Sequence, residues 1–214
     1  TISQFGDGGR VLAIYAPSGS TYERVSSVGN ENAAQVVTSH LSNEHVRAAL
    51  VLREDVPGTR LEFYTLRAGS MLLDGQVNVS DAIPRMGGWS FSGRYLALQG
   101  TGITPESRTL LVYDSESGDV AQFGAVLEEF GASWSPGQEV ISYVAPDAIY
   151  AAAPDGLALW SPNGGLMSLA RVVWLSGTEL AVIHCDDTCT ARIADVFSSQ
   201  ERIIDFGPYV PEAY

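Results

Sequence analysis

At 214 residues, 45% apolar and 17% charged, the chain is long enough to bury one sizeable core, and its balance fits neither disorder nor a charged helical bundle. Gly and Pro supply 32 of the residues, as expected for many short strands joined by tight turns, so the class expected is all-β in a single domain spanning 1–214. The net charge of −13, with 25 carboxylates against 12 arginines and no lysine, argues against nucleic acid and against docking on anionic lipid.

No apolar run approaches the roughly 18 residues that cross a bilayer, so no transmembrane segment is expected. No charged-then-apolar leader opens the chain, and the start at Thr1 is compatible with a processed protein or with a fragment.

Taken in order, an aromatic before a Gly- or Ser-containing turn recurs along the chain. It is Phe5 before Gly6-Asp7-Gly8, His40 before Leu41-Ser42-Asn43, Trp89 before Ser90-Phe91-Ser92-Gly93, Trp134 before Ser135-Pro136-Gly137, and Trp174 before Leu175-Ser176-Gly177. The spacings are 35, 49, 45 and 40 residues, in the range of roughly 40 to 50 that marks propeller blades. An apolar strand follows each marker, over 11–15, 46–52, 95–98, 140–144 and 180–183. Five modules result, over 1–37, 38–84, 85–129, 130–169 and 170–206, with a tail over 207–214. Third strands are expected at 61–66, 110–113, 157–160 and 191–197, and a polar one at 22–26. The stretch 32–45 can be read as a short helix, but Val36-Val37-Thr38 favours a strand.

The most complete module runs from Gly87 to Gly124. Its first turn, Trp89 to Gly93, precedes the alternating strand Tyr95-Leu96-Ala97-Leu98, and its second, Asp114-Ser115-Glu116-Ser117-Gly118, follows Leu110-Leu111-Val112-Tyr113. These two turns resemble the TolB-like family of β-propeller repeats, which are also WD-repeat-like, and whose blades carry Trp-Ser-Pro-Asp-Gly before an apolar strand and an Asp-x-x-x-Gly turn later. The resemblance implies a β-propeller of four-stranded antiparallel blades, either a ring of five or part of one of six. It implies fold more strongly than function.

Cys185-Asp186-Asp187-Thr188-Cys189 should sit on a tight hairpin that places the cysteines opposite one another. A disulfide is expected ahead of two rivals, a metal site using His184, Cys185, Asp187 and Cys189, and a pair of free thiols. A bonded pair places the protein in an oxidising, periplasmic or secreted setting. The stretch Gly88-Trp89-Ser90-Phe91-Ser92 lacks the last glycine and the strand-to-helix setting of a nucleophile elbow. Carboxylates are plentiful, as a propeller glycosidase would need, but most lie in turns and no pair stands out. No cofactor or metal is expected.

Trp89, Trp134 and Trp174 hold equivalent positions and are read as packing between blades. The connections 100–108 and 145–155 are the most irregular, and the second is apolar, so a partner-binding patch is expected around Ile103, Ile149, Tyr150 and Trp160. The function expected is that of a non-catalytic, rigid module that binds another protein or a larger assembly outside the cytoplasm. The alternatives are a five-bladed carboxylate glycosidase and a lectin-like propeller that binds glycans or small molecules.

Overall fold

The computed structural model describes residues 2–6, 9–30, 33–38, 47–53, 59–67, 70–79, 85–101, 107–127, 131–162, 171–185 and 187–208, and among them every regular element is a β-strand. No helix among them is long and apolar enough to cross a membrane. The strands form five sheets in which sequence neighbours are spatial neighbours.

The first sheet has three strands, β1 (Ile2–Gly6), β2 (Gly9–Ser18) and β3 (Thr21–Asn30). The second has four, β4 (Ala33–Thr38), β5 (Arg47–Arg53), β6 (Thr59–Arg67) and β7 (Ser70–Val79). The third comprises β8 (Arg85–Trp89), β9 (Tyr95–Thr101), β10 (Ser107–Asp114) and β11 (Val120–Leu127). The fourth comprises β12 (Ala132–Trp134), β13 (Ile141–Val144), β14 (Ile149–Ala152) and β15 (Ala158–Trp160). The fifth comprises β16 (Arg171–Trp174), β17 (Glu179–Cys185), β18 (Thr188–Asp195) and β19 (Glu201–Pro208).

Two features of this layout differ from the expected modules. Val36-Val37-Thr38 lies in a strand as expected, but β4 pairs with β5, so the second sheet begins at Ala33 rather than after residue 37. In the fourth sheet, the stretch expected to be an irregular connection is a tight turn followed by a strand. Ala145 N donates to Ala148 O at 2.8 Å, and Ile149–Ala152 then pairs back along Ile141–Val144. The segment 157–160 therefore supplies the fourth strand of its sheet, not the third.

The turns repeat as closely as the strands. After the first strand, Ser90 N donates to Tyr95 O, Ser135 N to Val140 O and Leu175 N to Glu179 O, at 2.8, 2.8 and 2.9 Å. A serine hydroxyl accepts inside each turn: Ser90 from Tyr95 N, Ser135 from Gly137 N and Gln138 N, and Ser176 from Thr178 N and Glu179 N. After the third strand, the chain passes through the left-handed region at Gly118 (φ 81°), Gly156 (φ 92°) and Ser199 (φ 57°). Ser199 occupies a position that ordinarily selects glycine.

Contacts divide the chain into two compact units, Thr1–Thr101 with Tyr113–Val120, and Gly102–Val112 with Ala121–Tyr214. In the first unit, Phe63 of β6 is 3% exposed, stacks on Tyr113 with ring centroids 4.0 Å apart and meets Trp89 edge-on at 6.2 Å. In the second, Val140, Val144, Ile149, Ala151 and Trp160 of the fourth sheet pack with Leu180, Val182, Ala194 and Val196 of the fifth. The first turns of these two sheets also interlock. Ser135 Oγ donates to Gly177 O at 2.7 Å, and a Cβ placed on Gly177 would lie 3.3 Å from the Cα of Gly137.

Candidate interaction surface

The three marker tryptophans end the first strands β8, β12 and β16. Trp89 is buried against Phe63 of the neighbouring second sheet. Trp174 is half-buried against the core shared by the fourth and fifth sheets, and its indole donates to Ser133 O at 3.1 Å. Trp134 is half-buried.

Of the residues expected to form a partner-binding patch, Ile149 and Trp160 lie in the core rather than on a surface. Ile149 is buried in the core of the second unit. Trp160 is likewise buried, and its indole donates to Glu201 Oε1 of β19 at 3.0 Å. Ile149 is a core residue because β14 is a strand of a packed sheet rather than part of the expected irregular connection, and Trp160 because β15 is the fourth strand of that sheet. Tyr150 is half-buried, stacks on its register partner Tyr143 at 5.3 Å, and donates from its hydroxyl to Asp147 at 3.2 Å. Ile103 lies outside the described residues, as does His40.

The carboxylates of the turns hold backbone and side chains together. Asp114 Oδ1 accepts from Arg94 Nε at 2.9 Å and from Glu116 N at 2.9 Å, while Oδ2 accepts from Arg94 Nη2 at 2.6 Å. This two-pronged bond ties the second turn of the third sheet to its first. Arg94 also pairs with Glu116 at 2.9 Å and lies over the ring of Tyr95. The Arg94 bond holds the Asp114 carboxyl down at about 2. In the fifth sheet, Asp195 accepts from Ser198 N, Ser198 Oγ and Phe197 N, and its carboxyl is lowered chiefly by the Ser198 backbone bond. Elsewhere, burial and then the bond to Glu62 push the Tyr64 phenol up to about 12.

Cys185 and Cys189 form a disulfide across the β17–β18 hairpin, where they are register partners with Cα atoms 4.1 Å apart. Among the described residues, no group of three or more His, Cys, Asp and Glu is arranged to hold a metal ion.

Among the described residues, an exposed apolar cluster lies on the outermost strand of the fifth sheet. Ile203 is 68% exposed and Phe206 61%, with Ile204 beside them and exposed Phe197 in the turn that leads to the strand. Three large apolar side chains exposed within one eight-residue edge strand are unusual, because such an edge invites pairing and is normally blunted. Charges partly guard it: Arg202 pairs with Glu179 at 2.7 Å, and Glu201 holds the Trp160 indole. The sequence signal was Ile203-Ile204, two adjacent apolar residues in a strand that can bury only one face.

No family model and no curated protein matches the chain. Solved structures do. The Dos1 propeller is 13% identical, with a TM-score of 0.54 over 94% of this chain and 55% of that one. The β-propeller domain of the trilobed protease from Pyrococcus furiosus, described as having an open velcro topology, is 10% identical, with a TM-score of 0.52 over 82% of this chain and 58% of that one. This chain spans less than two thirds of either, and likeness at such identities speaks to the fold alone: the five sheets are propeller-like repeats.

Proposed function

We propose that the chain is a non-catalytic β-propeller of the TolB-like kind, its five sheets serving as the blades of one domain. It acts as a rigid protein-binding module, an accessory part of a larger assembly outside the cytoplasm. The observation that carries this reading is the apolar edge of β19, where Ile203, Ile204 and Phe206 stand in solvent although other positions of the same sheet are well packed. A partner that covers this strand would remove their apolar surface from water, a gain of about 25 cal/mol for each Å² covered. The turn carboxylates support a non-catalytic role, since Asp114, Glu116 and Asp195 are committed to bonds that hold the turns. The disulfide supports an oxidising setting.

The test is recovery of the native partner with the double variant Ile203→Asp, Phe206→Ser. Both side chains are exposed, so the fold should tolerate the change, and partner recovery should collapse. Undiminished recovery would move the interface elsewhere, and turnover of a glycan panel by the wild-type chain would replace the reading with an enzymatic one.

A further inference from the structure

Among the described residues the first sheet has three strands where the other four have four. Only residues 31 and 32 separate the end of β3 from β4, and β4 belongs to the second sheet, so no strand of the same sheet directly follows β3. Within the first unit, β3 is a ten-residue strand, and its pairing among the described residues is with β2 alone. Its described side chains, from Thr21 to Arg24 and at Ser27, are exposed, with Tyr22 at 74%. A strand edge of that length presents a row of backbone donors and acceptors to any extended segment that can lie along it.

We propose that the first sheet is completed in trans by one extended, basic segment of a partner protein, added beside β3 as the fourth strand. Two observations set the chemistry of that segment. Two of the four fourth strands contribute a buried apolar side chain, Val126 from β11 and Trp160 from β15, and the incoming strand would do the same with apolar residues on one face. The first unit carries twelve carboxylates against eight arginines within a chain of net charge −13, so the alternate, outward residues should be cationic. The surface lies on β3 and not on β19, so it stands or falls separately from the apolar edge described above.

The experiment uses the whole chain and a labelled decapeptide alternating Arg and Val. Its controls are the Glu–Val counterpart and two Arg–Val versions N-methylated at alternate amides of one parity or the other. Binding is read by fluorescence polarisation and mapped by hydrogen exchange. The expected results are binding of the Arg–Val peptide, affinity at least about tenfold weaker for Glu–Val, and loss of at least about tenfold for one N-methylated parity but not the other, because an added strand turns only alternate amides toward its neighbour. Exchange should slow within residues 21–30, and Ile203→Asp, Phe206→Ser should leave the peptide affinity unchanged. Equal binding of both N-methylated peptides, no binding of the Arg–Val peptide, or protection confined to other strands would overturn the proposal. Protection of 21–30 in the peptide-free chain together with a dimer in sedimentation would overturn it in favour of a second copy as the occupant.

Discussion

Replacing Asp114 by Asn removes one charge and little volume from the clamp between the two turns of the third sheet. Asn can keep the acceptor that faces Arg94 Nε and Glu116 N, but it loses the charged oxygen that accepts from Arg94 Nη2 at 2.6 Å. A carboxyl lowered from 3.8 to about 2 corresponds by linkage to at most about 2.5 kcal/mol at neutral pH. Since the Arg94 side chain is 38% exposed, solvent screening reduces the expected loss to about 1 kcal/mol. In a chain of this size that lowers the melting temperature by about 2–4 °C. The folded pKa lies below the unfolded one, so the contribution is complete above the unfolded pKa near 3.8 and is lost as pH falls through about 2. Melts followed by circular dichroism should therefore show a constant gap between wild type and Asp114→Asn from pH 7 down to about 5, closing toward pH 2. Equal melting temperatures at pH 7, or a gap that persists at pH 2, would refute the clamp as a source of stability.

Ser199→Gly should raise stability by about 0.5–1 kcal/mol in chemical denaturation, because it relieves a left-handed residue that closes the Asp195 turn without glycine. Ser135→Ala should cost about 1–2 kcal/mol, since the hydroxyl donates to Gly177 O and accepts from Gly137 N and Gln138 N in a position 1% exposed. Gly177→Ala should cost about 1–3 kcal/mol, because the methyl would meet the Gly137 backbone at 3.3 Å; a neutral result would mean that the two turns separate freely. Reduction of Cys185–Cys189 should raise the intact mass by that of two hydrogens and lower stability by about 2 kcal/mol, as closing so short a loop implies.

Much of this fold was legible because its turns carry chemistry at fixed places. Trp89 to Gly93 and Asp114 to Gly118 each combine a side-chain acceptor with a glycine at positive φ, and both turns form as their residues require. The hairpin at Cys185 was legible from the short spacing alone. The fourth sheet was harder to read. Its β14 is only four residues long and half alanine, so its strand signal rests on Ile149 and Tyr150 alone, and Trp160 drew attention as a surface aromatic although the packed sheet buries it. Polar β3 was faint for the opposite reason: it lies at an edge and shows exposed, polar side chains. The apolar edge of β19 was spelled out in Ile203-Ile204-Asp205-Phe206, yet alternation assigns one face of a strand to the core, and exposure on both sides emerges only from the sheet order.

Radical footprinting of the chain alone and in its native complex tests the central claim most directly, since oxidation reports the solvent access of individual side chains. Phe206 at 61% and Phe197 at 54% exposure should label readily in the free chain, and their labelling should drop severalfold in the complex, while exposed Phe91 of the first unit keeps its rate. Unchanged labelling of Phe197 and Phe206 in a complex that forms would contradict the account of β19 as the surface that meets the partner.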